Sequence, residues 1–162
     1  MVSAKSTQVA GAERRLHGLG IVLPNAPHPL GAYVEAVQSG NLLFLSGMLP
    51  IKDGRLQYVG HLGKELNADT GRDALRTATL NALSAAKEYL GSLDRVSKIV
   101  RVGVYLATSG DFYNQPIVAD AASELLRDVF GEDKMSVRSV VGVASLPLGA
   151  PVMLEVTFEV DH

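Results

Sequence analysis

Arg138 is the residue whose type and position most directly suggest chemistry. It stands between Val137 and Ser139 in a β-branched run, where a strand interior would normally carry an apolar residue. A guanidinium presents a planar fork of N–H donors that matches a carboxylate with two hydrogen bonds, which lysine cannot do. The alternative is a surface arginine whose stem lies along the sheet while its head stays in water. A small carboxylate is therefore one candidate partner for this side chain.

Tyr33 and Ser46 are the other polar side chains that could take part in a site. Ser46 precedes Gly47, but Phe44 occupies the first glycine position of a nucleophile elbow. No Ser, Asp and His arrangement is evident either. We therefore expect Ser46 to act as a hydrogen-bond donor and not as a nucleophile.

Composition argues against metal, cofactor and nucleic-acid chemistry. The sequence has no cysteine, which excludes disulfides, thiolate nucleophiles and cysteine-bound metals. Its four histidines are scattered without the spacing of metal ligands, so no metal and no cofactor are expected. With 15 basic and 17 acidic residues the net charge is −2, which supplies no bulk attraction for nucleic acid.

Neither export nor membrane insertion is expected. Residues 1–20 contain no apolar run of signal-peptide length, and no later segment approaches the ~18 continuous apolar residues of a membrane span. We therefore expect a cytoplasmic protein without a membrane partner.

The element that must hold Arg138 lies in residues 136–160. Two β-branched runs flank a turn rich in proline and glycine, a pattern that predicts an antiparallel hairpin. If this hairpin turns about Leu148 and Gly149, Arg138 pairs near Glu159 and lies roughly 13 to 20 Å from residues 153–155. A cleft could not easily use both groups from a single subunit.

The remaining pattern predicts one α+β domain. Strands are expected at residues 32–37, 42–46 and 98–107, with a weaker strand at 56–59. Asn67 or Asp69 can cap a helix that ends near Leu90, and a second helix is expected within residues 111–130, with Pro116 in its first turn. The predicted order is βββαβαββ, with a mixed or antiparallel sheet and two helices on one face. We assign residues 20–162 to this domain and residues 1–19 to a flexible extension with room for a short helix at 11–18.

Such a sheet has a second face that needs cover, and the sequence offers no third long helix to supply it. Self-association is the simplest solution.

Two separated blocks of sequence resemble the RidA/YjgF family of enamine/imine deaminases. The first block runs from Pro29-Leu-Gly-Ala-Tyr33 to Val37, continues through Gly40-Asn41-Leu-Leu-Phe-Leu-Ser46-Gly47 and ends at Pro50. The second joins Val137-Arg138-Ser139 to Leu146-Pro147 and a closing strand with a glutamate. The likeness spans residues 20–160. It implies a chorismate-mutase-like fold and a homotrimer with ligand clefts between subunits.

The resemblance also assigns roles to residues. Arg138 would hold the carboxylate of a 2-imino or 2-amino-enoic acid, Tyr33 would be catalytic, and a glutamate on the last strand would position the water. The remaining cleft positions match Ser46, Gly47, Ser139 and Val140. The implied activity is hydrolysis of reactive enamine or imine intermediates to a keto acid and ammonia.

The last strand departs from the family pattern. Without a gap after Leu146-Pro147, the position of the water-positioning glutamate falls on Met153, which would then line the substrate site. Glu155 lies on the same side of the strand, roughly 6.5 to 7 Å further along. A turn longer by two residues would instead bring Glu155 into place, so Glu155 remains a candidate catalytic residue.

Three smaller departures make the expected pocket more apolar. Met48 replaces a frequent glutamine, Val140 replaces a frequent cysteine, and residues 116–120 lack the asparagine expected in the cleft.

Three functions remain open. The first is a RidA-like deaminase, and the second is a non-catalytic trimeric binder of small carboxylates, which Met153 favours. The third is an endoribonuclease, an activity also attached to this family. A ribonuclease would need a basic groove with stacking aromatics, whereas the tight basic cluster of Arg95, Lys98 and Arg101 has no adjacent histidine.

Overall fold

The structure is a computed structural model that describes residues 10–161. Its helices and strands, in chain order, are α1 (Ala12–Gly18), β1 (Ala36–Ser39), β2 (Leu42–Leu45), β3 (Ile51–Lys52), β4 (Arg55–Leu56), α2 (Ala68–Leu90), β5 (Val96–Ala107), α3 (Gln115–Phe130), β6 (Val137–Val143) and β7 (Val152–Val160).

Five strands form one mixed sheet in the order β1-β2-β7-β5-β6. β5 pairs with β6 in parallel, and the other neighbouring strands are antiparallel. β7 alternates strictly, with Val152, Leu154, Val156, Phe158 and Val160 buried and the residues between them only partly buried. One face of the sheet therefore belongs to the core, and the other is open.

α2 begins and ends where its sequence predicts. The Asn67 side chain accepts a hydrogen bond from the Thr70 N–H at 2.9 Å, and Gly91 ends the helix in the left-handed conformation at φ 82°. Its small residues pack as a flat face on the sheet, because alanine lets the helix axis approach closely. The buried members of this face are Ala74, Ala78, Ala82, Ala85 and Ala86.

α3 lies beside α2 on the same face of the sheet. It begins at Gln115, and Pro116 lies in its first turn. Proline is tolerated there because backbone N–H groups of the first turn have no hydrogen-bond partner within the helix. Its last residue, Phe130, packs against Phe158 of β7 with ring centroids 5.7 Å apart. Two helices on one face agree with the sequence prediction.

The predicted hairpin over residues 136–160 is wrong. β6 and β7 are not neighbours, because β5 lies between them and pairs with both. The twelve residues of β5 carry enough apolar surface to occupy the centre of the sheet. The Pro147–Gly149 turn is part of a connection that crosses over β5 instead of closing a hairpin. Alternation of apolar and polar residues predicts a strand, but it does not predict which other strand it pairs with.

The third predicted strand is also corrected. Instead of one strand at residues 56–59, β3 and β4 form a separate two-stranded hairpin outside the main sheet. Asp53 and Gly54 make its turn with φ values of 53° and 78°, the pair of positive angles that a two-residue hairpin favours. The order βββαβαββ therefore does not describe the main sheet.

α1 contributes to the domain core. Ala12 and Leu16 are buried, and Leu16 belongs to the same apolar cluster as the sheet and the long helices. Residues 1–9 of the predicted flexible extension lie outside the described residues. The part that forms α1 is packed against the domain.

Candidate functional site

Arg138 lies on the edge strand β6 with its guanidinium against α3. Its Nη1 donates to Asp120 Oδ1 at 2.8 Å and to Ser123 Oγ at 3.1 Å. The Arg138 side chain is 26% exposed and that of Asp120 is 51% exposed. The guanidinium is thus held from one side by α3 and remains within reach of solvent.

Sequence reasoning missed Asp120 and Ser123. They lie three residues apart on α3, so both face the same way, but no sequence feature indicates that this side meets the edge strand.

Ser46 is a hydrogen-bond donor in the structure. Its Oγ donates to Glu35 Oε2 at 3.0 Å, and its backbone N–H donates to the Glu35 carbonyl at 2.9 Å. Glu35 was not predicted as a site residue, because it stands alone among small and apolar neighbours. Together the two residues place a carboxylate close to the strand end that leads to Gly47.

Gly47 brings the chain after β2 against Met153 of β7. A Cβ atom on Gly47 would lie 2.7 Å from Met153 Sδ, closer than ordinary contacts allow. Met48 and Leu154 exchange two backbone hydrogen bonds of 2.7 and 2.9 Å, which fix this approach. The thioether of Met153 therefore covers the Gly47 backbone.

Tyr33 stands at a small pocket beside this contact. Its hydroxyl accepts a hydrogen bond from the Leu30 N–H at 3.0 Å, and the residue is 46% exposed. The pocket, of about 40 Å³, is also lined by Glu35, Gly47 and Asn81. That volume is on the order of one water molecule, so one chain alone does not enclose a metabolite here.

Asn81 holds one wall of this pocket. It is buried in α2, and its Nδ2 donates to the carbonyls of Leu49 and Ile51 at 3.0 and 2.9 Å. The side chain therefore fixes the loop that follows Gly47.

Glu155 is engaged on the open face of the sheet. Hydrogen bonding to its carboxylate raises the pKa of Tyr105, with burial and the negative charge of Glu155 adding to the effect. Arg101 lies at the same place, since its Nη1 would be 3.3 Å from a Cβ on Gly103 and Glu155 Cβ would be 3.7 Å away. Glu155, Tyr105 and Arg101 therefore lie close together around Gly103 on this face.

The predicted residues form two groups that do not meet within one chain. Tyr33, Ser46, Gly47 and Met153 lie near β7, whereas Arg138 lies on β6, two strands away. Two strand spacings amount to roughly 10 Å, and Arg138 is level with Val156, three residues beyond Met153. The guanidinium also faces the helices, while Met153 belongs to the open side.

Ser139 and Val140 divide between the two faces of β6. Val140 packs against the core on the helical side, and Ser139 pairs with Gly103 and points to the open side.

No other feature of the described residues competes as a site for this chemistry. A cavity of about 630 Å³ lies between α1, α2 and residues 21–26 and contains none of the predicted residues. Within residues 10–161 no cluster of three His, Asp or Glu side chains could hold a metal ion. None of the helices there is long and apolar enough to span a membrane.

Comparison with known proteins establishes the family. Residues 13–159 match the family model described as "YjgF/chorismate_mutase-like, putative endoribonuclease". The chain therefore belongs to the YjgF/RidA family.

Relatives with names and structures cover nearly the whole chain. Protein TCP17 of Trypanosoma cruzi is 40% identical over 148 residues, which are 91% of this chain and 92% of that protein. A 2-iminobutanoate/2-iminopropanoate deaminase of Dermatophagoides farinae is 33% identical over 137 residues, 83% of this chain and 91% of the relative. The crystal structure of Atu1372 from Agrobacterium tumefaciens, a protein of unknown function, has a TM-score of 0.85 at 33% identity and covers 93% of this chain and 92% of its own.

Proposed function

We propose that this protein is a hydrolytic deaminase of 2-imino acids, working in clefts between the subunits of a homotrimer. The observation that carries the proposal is the geometry of Arg138. Its Nη1 is bound to α3, and within residues 10–161 its Nε and Nη2 donate to no other group. These donors can receive a carboxylate from a small ligand in the bidentate manner that arginine favours.

The shared cleft is supported by the separation of the two residue groups. One chain offers an anchor on β6 and, apart from it, a pocket of about 40 Å³ beside Gly47 that does not include Arg138. A second subunit that brings its Tyr33 and Gly47 region to β6 would place both groups at one site. Homotrimers with clefts of this kind are what the family resemblance implies.

The open face of the sheet supports self-association. Among residues 10–161 no helix covers it, and it exposes several large apolar side chains. These are Val37, Phe44, Val137 and Val141, each at least 44% exposed. Burial of such a surface against other copies of the chain is favourable.

The proposed reaction needs few groups. Arg138 fixes the substrate carboxylate, a water oxygen bonds to C2 of the imine, and the C2–N bond breaks after the nitrogen has been protonated, which releases ammonia and a keto acid. Tyr33 and Ser46 supply hydroxyls that can hydrogen-bond the water or the nitrogen. Met153 offers no acceptor for a water at Gly47, and Glu155 lies one side-chain position further along β7, beside Tyr105 and Arg101.

A specific observation favours a second candidate, a non-catalytic binder of small carboxylates. Met153 Sδ covers the Gly47 backbone, so an apolar atom stands at the position where the resemblance implies a glutamate. Arg138 would serve a binder equally well.

The structure gives less support to an endoribonuclease. Each member of the basic cluster has an acidic neighbour: Arg95 donates to Asp161 at 3.0 Å, Lys98 stands opposite Glu159, and Arg101 lies beside Glu155. These carboxylates oppose the attraction of a phosphate backbone.

The direct experiment follows keto-acid release from 2-iminopropanoate generated in situ. We expect wild-type protein to exceed the spontaneous rate and Arg138→Ala to fall to it, whereas Arg76→Ala, which removes an exposed arginine of α2, keeps the wild-type rate. Wild-type protein that binds pyruvate or alanine through Arg138 without accelerating hydrolysis would establish the binder instead.

A further inference from the structure

Asp120 forms an ion pair with Arg138, the side chain that is proposed to bind the ligand's carboxylate. Its Oδ1 accepts from Arg138 Nη1 at 2.8 Å, and Ser123 Oγ accepts from the same nitrogen at 3.1 Å. Both contacts come from α3, so they hold one end of the guanidinium and leave the other end open. About half of the Asp120 side chain is exposed, so its carboxylate can be reached by a ligand.

The charge of Asp120 alters what Arg138 can attract. A lone guanidinium offers a full positive charge to any carboxylate, whereas the Arg138–Asp120 pair is close to neutral. A keto acid carries only negative charge, so its carboxylate must approach Arg138 next to a fixed like charge, which opposes binding. A ligand that also carries a positive charge beside its carboxylate is attracted by Asp120, and this attraction favours binding.

Such a ligand matches the pair group by group. In a 2-amino or 2-iminium acid the nitrogen and the carboxylate are attached to neighbouring carbons. Its carboxylate can bind the free N–H groups of Arg138 while the cationic nitrogen donates to Asp120. Hydrogen bonds between charged groups are stronger than neutral ones, and two opposite pairs in tandem fix the direction in which the ligand lies.

We propose that Asp120 is a specificity-determining residue that, together with Arg138, selects 2-iminium and 2-amino acids over 2-keto acids. This inference rests on the proposed function and deepens it. Deamination removes the cationic nitrogen, so the keto-acid product loses the contact with Asp120 and keeps only the repulsion. Asp120 thereby strengthens binding of the substrate and promotes release of the product.

The test compares two ligands with the same three-carbon skeleton, L-alanine and pyruvate, titrated calorimetrically into the full chain at low ionic strength. We expect wild-type protein to bind alanine more tightly than pyruvate. In Asp120→Asn the ratio of the two affinities should fall about fivefold, the upper end for one charged contact at an exposed site. Asparagine keeps a side-chain oxygen that can accept from Arg138 Nη1, so the anchor stays in place.

Two further variants complete the test. Asp128→Asn removes an exposed aspartate from the same helix without touching Arg138 and should leave the ratio unchanged. Asp120→Ala removes the charge by a different substitution and should shift the ratio in the same direction as Asp120→Asn. An unchanged ratio in both Asp120 variants, or a wild-type preference for pyruvate, would overturn the proposal.

Failure of this inference can be told apart from failure of the proposed function. If Arg138→Ala abolishes binding of both ligands but the Asp120 variants keep the wild-type ratio, only the specificity role of Asp120 is wrong. If wild-type protein binds neither ligand, or if Arg138→Ala binds both as wild type does, the carboxylate anchor is wrong and both proposals fall.

Discussion

Met153 is the single residue that, under the proposed function, should limit how strongly this chain catalyses. Its thioether lies over Gly47 on the side of β7 that carries Glu155 and Thr157. A carboxylate at this point would stand close to Ser46 and could orient a water. We predict that Met153→Glu raises the rate of 2-iminopropanoate hydrolysis by about 10², the lower end for a positioned acid or base.

Two effects disfavour an ionised carboxylate at position 153 and keep the expected increase in rate small. A partly buried carboxylate loses solvation, and Glu35 adds a like charge that Ser46 links to the same place. Thr157→Glu is the matched control, because it adds a carboxylate to the same face of β7 but farther from Gly47, and it should give no gain.

Glu155 supplies the competing prediction. Its carboxylate lies with Tyr105 and Arg101 on the open face of the sheet, so we expect Glu155→Gln to change the hydrolysis rate by less than about tenfold. Robust wild-type activity that Glu155→Gln destroys would show that the longer turn places Glu155 as the base and that Met153 is a bystander.

Asn81 carries the first prediction at the scale of the elements. Its Nδ2 joins α2 to the loop after Gly47 through two carbonyls, and the side chain is buried. Asn81→Ala should lower the free energy of unfolding by about 1 to 3 kcal/mol, because two side-chain hydrogen bonds are lost and only the Leu49 carbonyl keeps another donor, the Ile51 N–H. Urea denaturation measures this, and Asn114→Ala, at a helix start whose side chain makes no capping bond, should change stability by less than about 0.5 kcal/mol. Equal effects from both variants would contradict the role of Asn81.

Glu13 joins α1 to the rest of the domain and makes this contact sensitive to pH. Its carboxylate accepts from the Leu93 N–H at 3.0 Å and from Lys87 Nζ at 2.9 Å. Burial alone raises the pKa of Glu13, but these hydrogen bonds and the charge of Lys87 outweigh it, so the pKa in the folded protein lies below the ordinary 4.5. The contribution to stability is therefore complete above about pH 4.5 and is lost as the pH falls through the folded pKa.

The corresponding variant is Glu13→Gln. It should lower the free energy of unfolding by about 1 kcal/mol at pH 7, and the difference from wild type should vanish in strong acid. Glu88→Gln, which removes an exposed carboxylate from α2, is the control. A difference between wild type and Glu13→Gln that is the same at pH 7 and pH 3 would show that Glu13 acts through its shape and not its charge.

Sequence predicted the elements better than their arrangement. α2, α3 and β5 are defined by local signals: the cap at Asn67, Pro116 in a first turn, and a long apolar alternation. Strand partners depend on contacts between distant segments, so the parallel pairing of β6 with β5 could not be predicted from residues 136–160.

The candidate site could likewise be predicted only in part. Arg138, Tyr33 and Ser46 could be chosen from type and motif, whereas their partners Asp120 and Glu35 are brought to them only by the fold.

A single chain does not assemble the proposed site. One subunit has an exposed apolar sheet face, an anchor on its edge strand and a separate pocket of about 40 Å³. We predict a trimer of about 52 kDa by light scattering, three times the chain mass of 17.2 kDa. A mass of one chain at micromolar concentration would contradict both the trimer and the shared cleft.

The proposed imine-hydrolysing site spans two subunits, with Arg138 on one wall and Tyr33 on the other. Its most direct test mixes Arg138→Ala and Tyr33→Phe subunits, dissociated and reassembled together, and measures keto-acid release from 2-iminopropanoate. Each variant alone should remain near the spontaneous rate. In randomly mixed trimers about a quarter of the clefts receive both intact walls, so the mixture should recover about a quarter of the wild-type rate. A mixture that forms trimers containing both variants and still shows only the spontaneous rate would contradict the shared site.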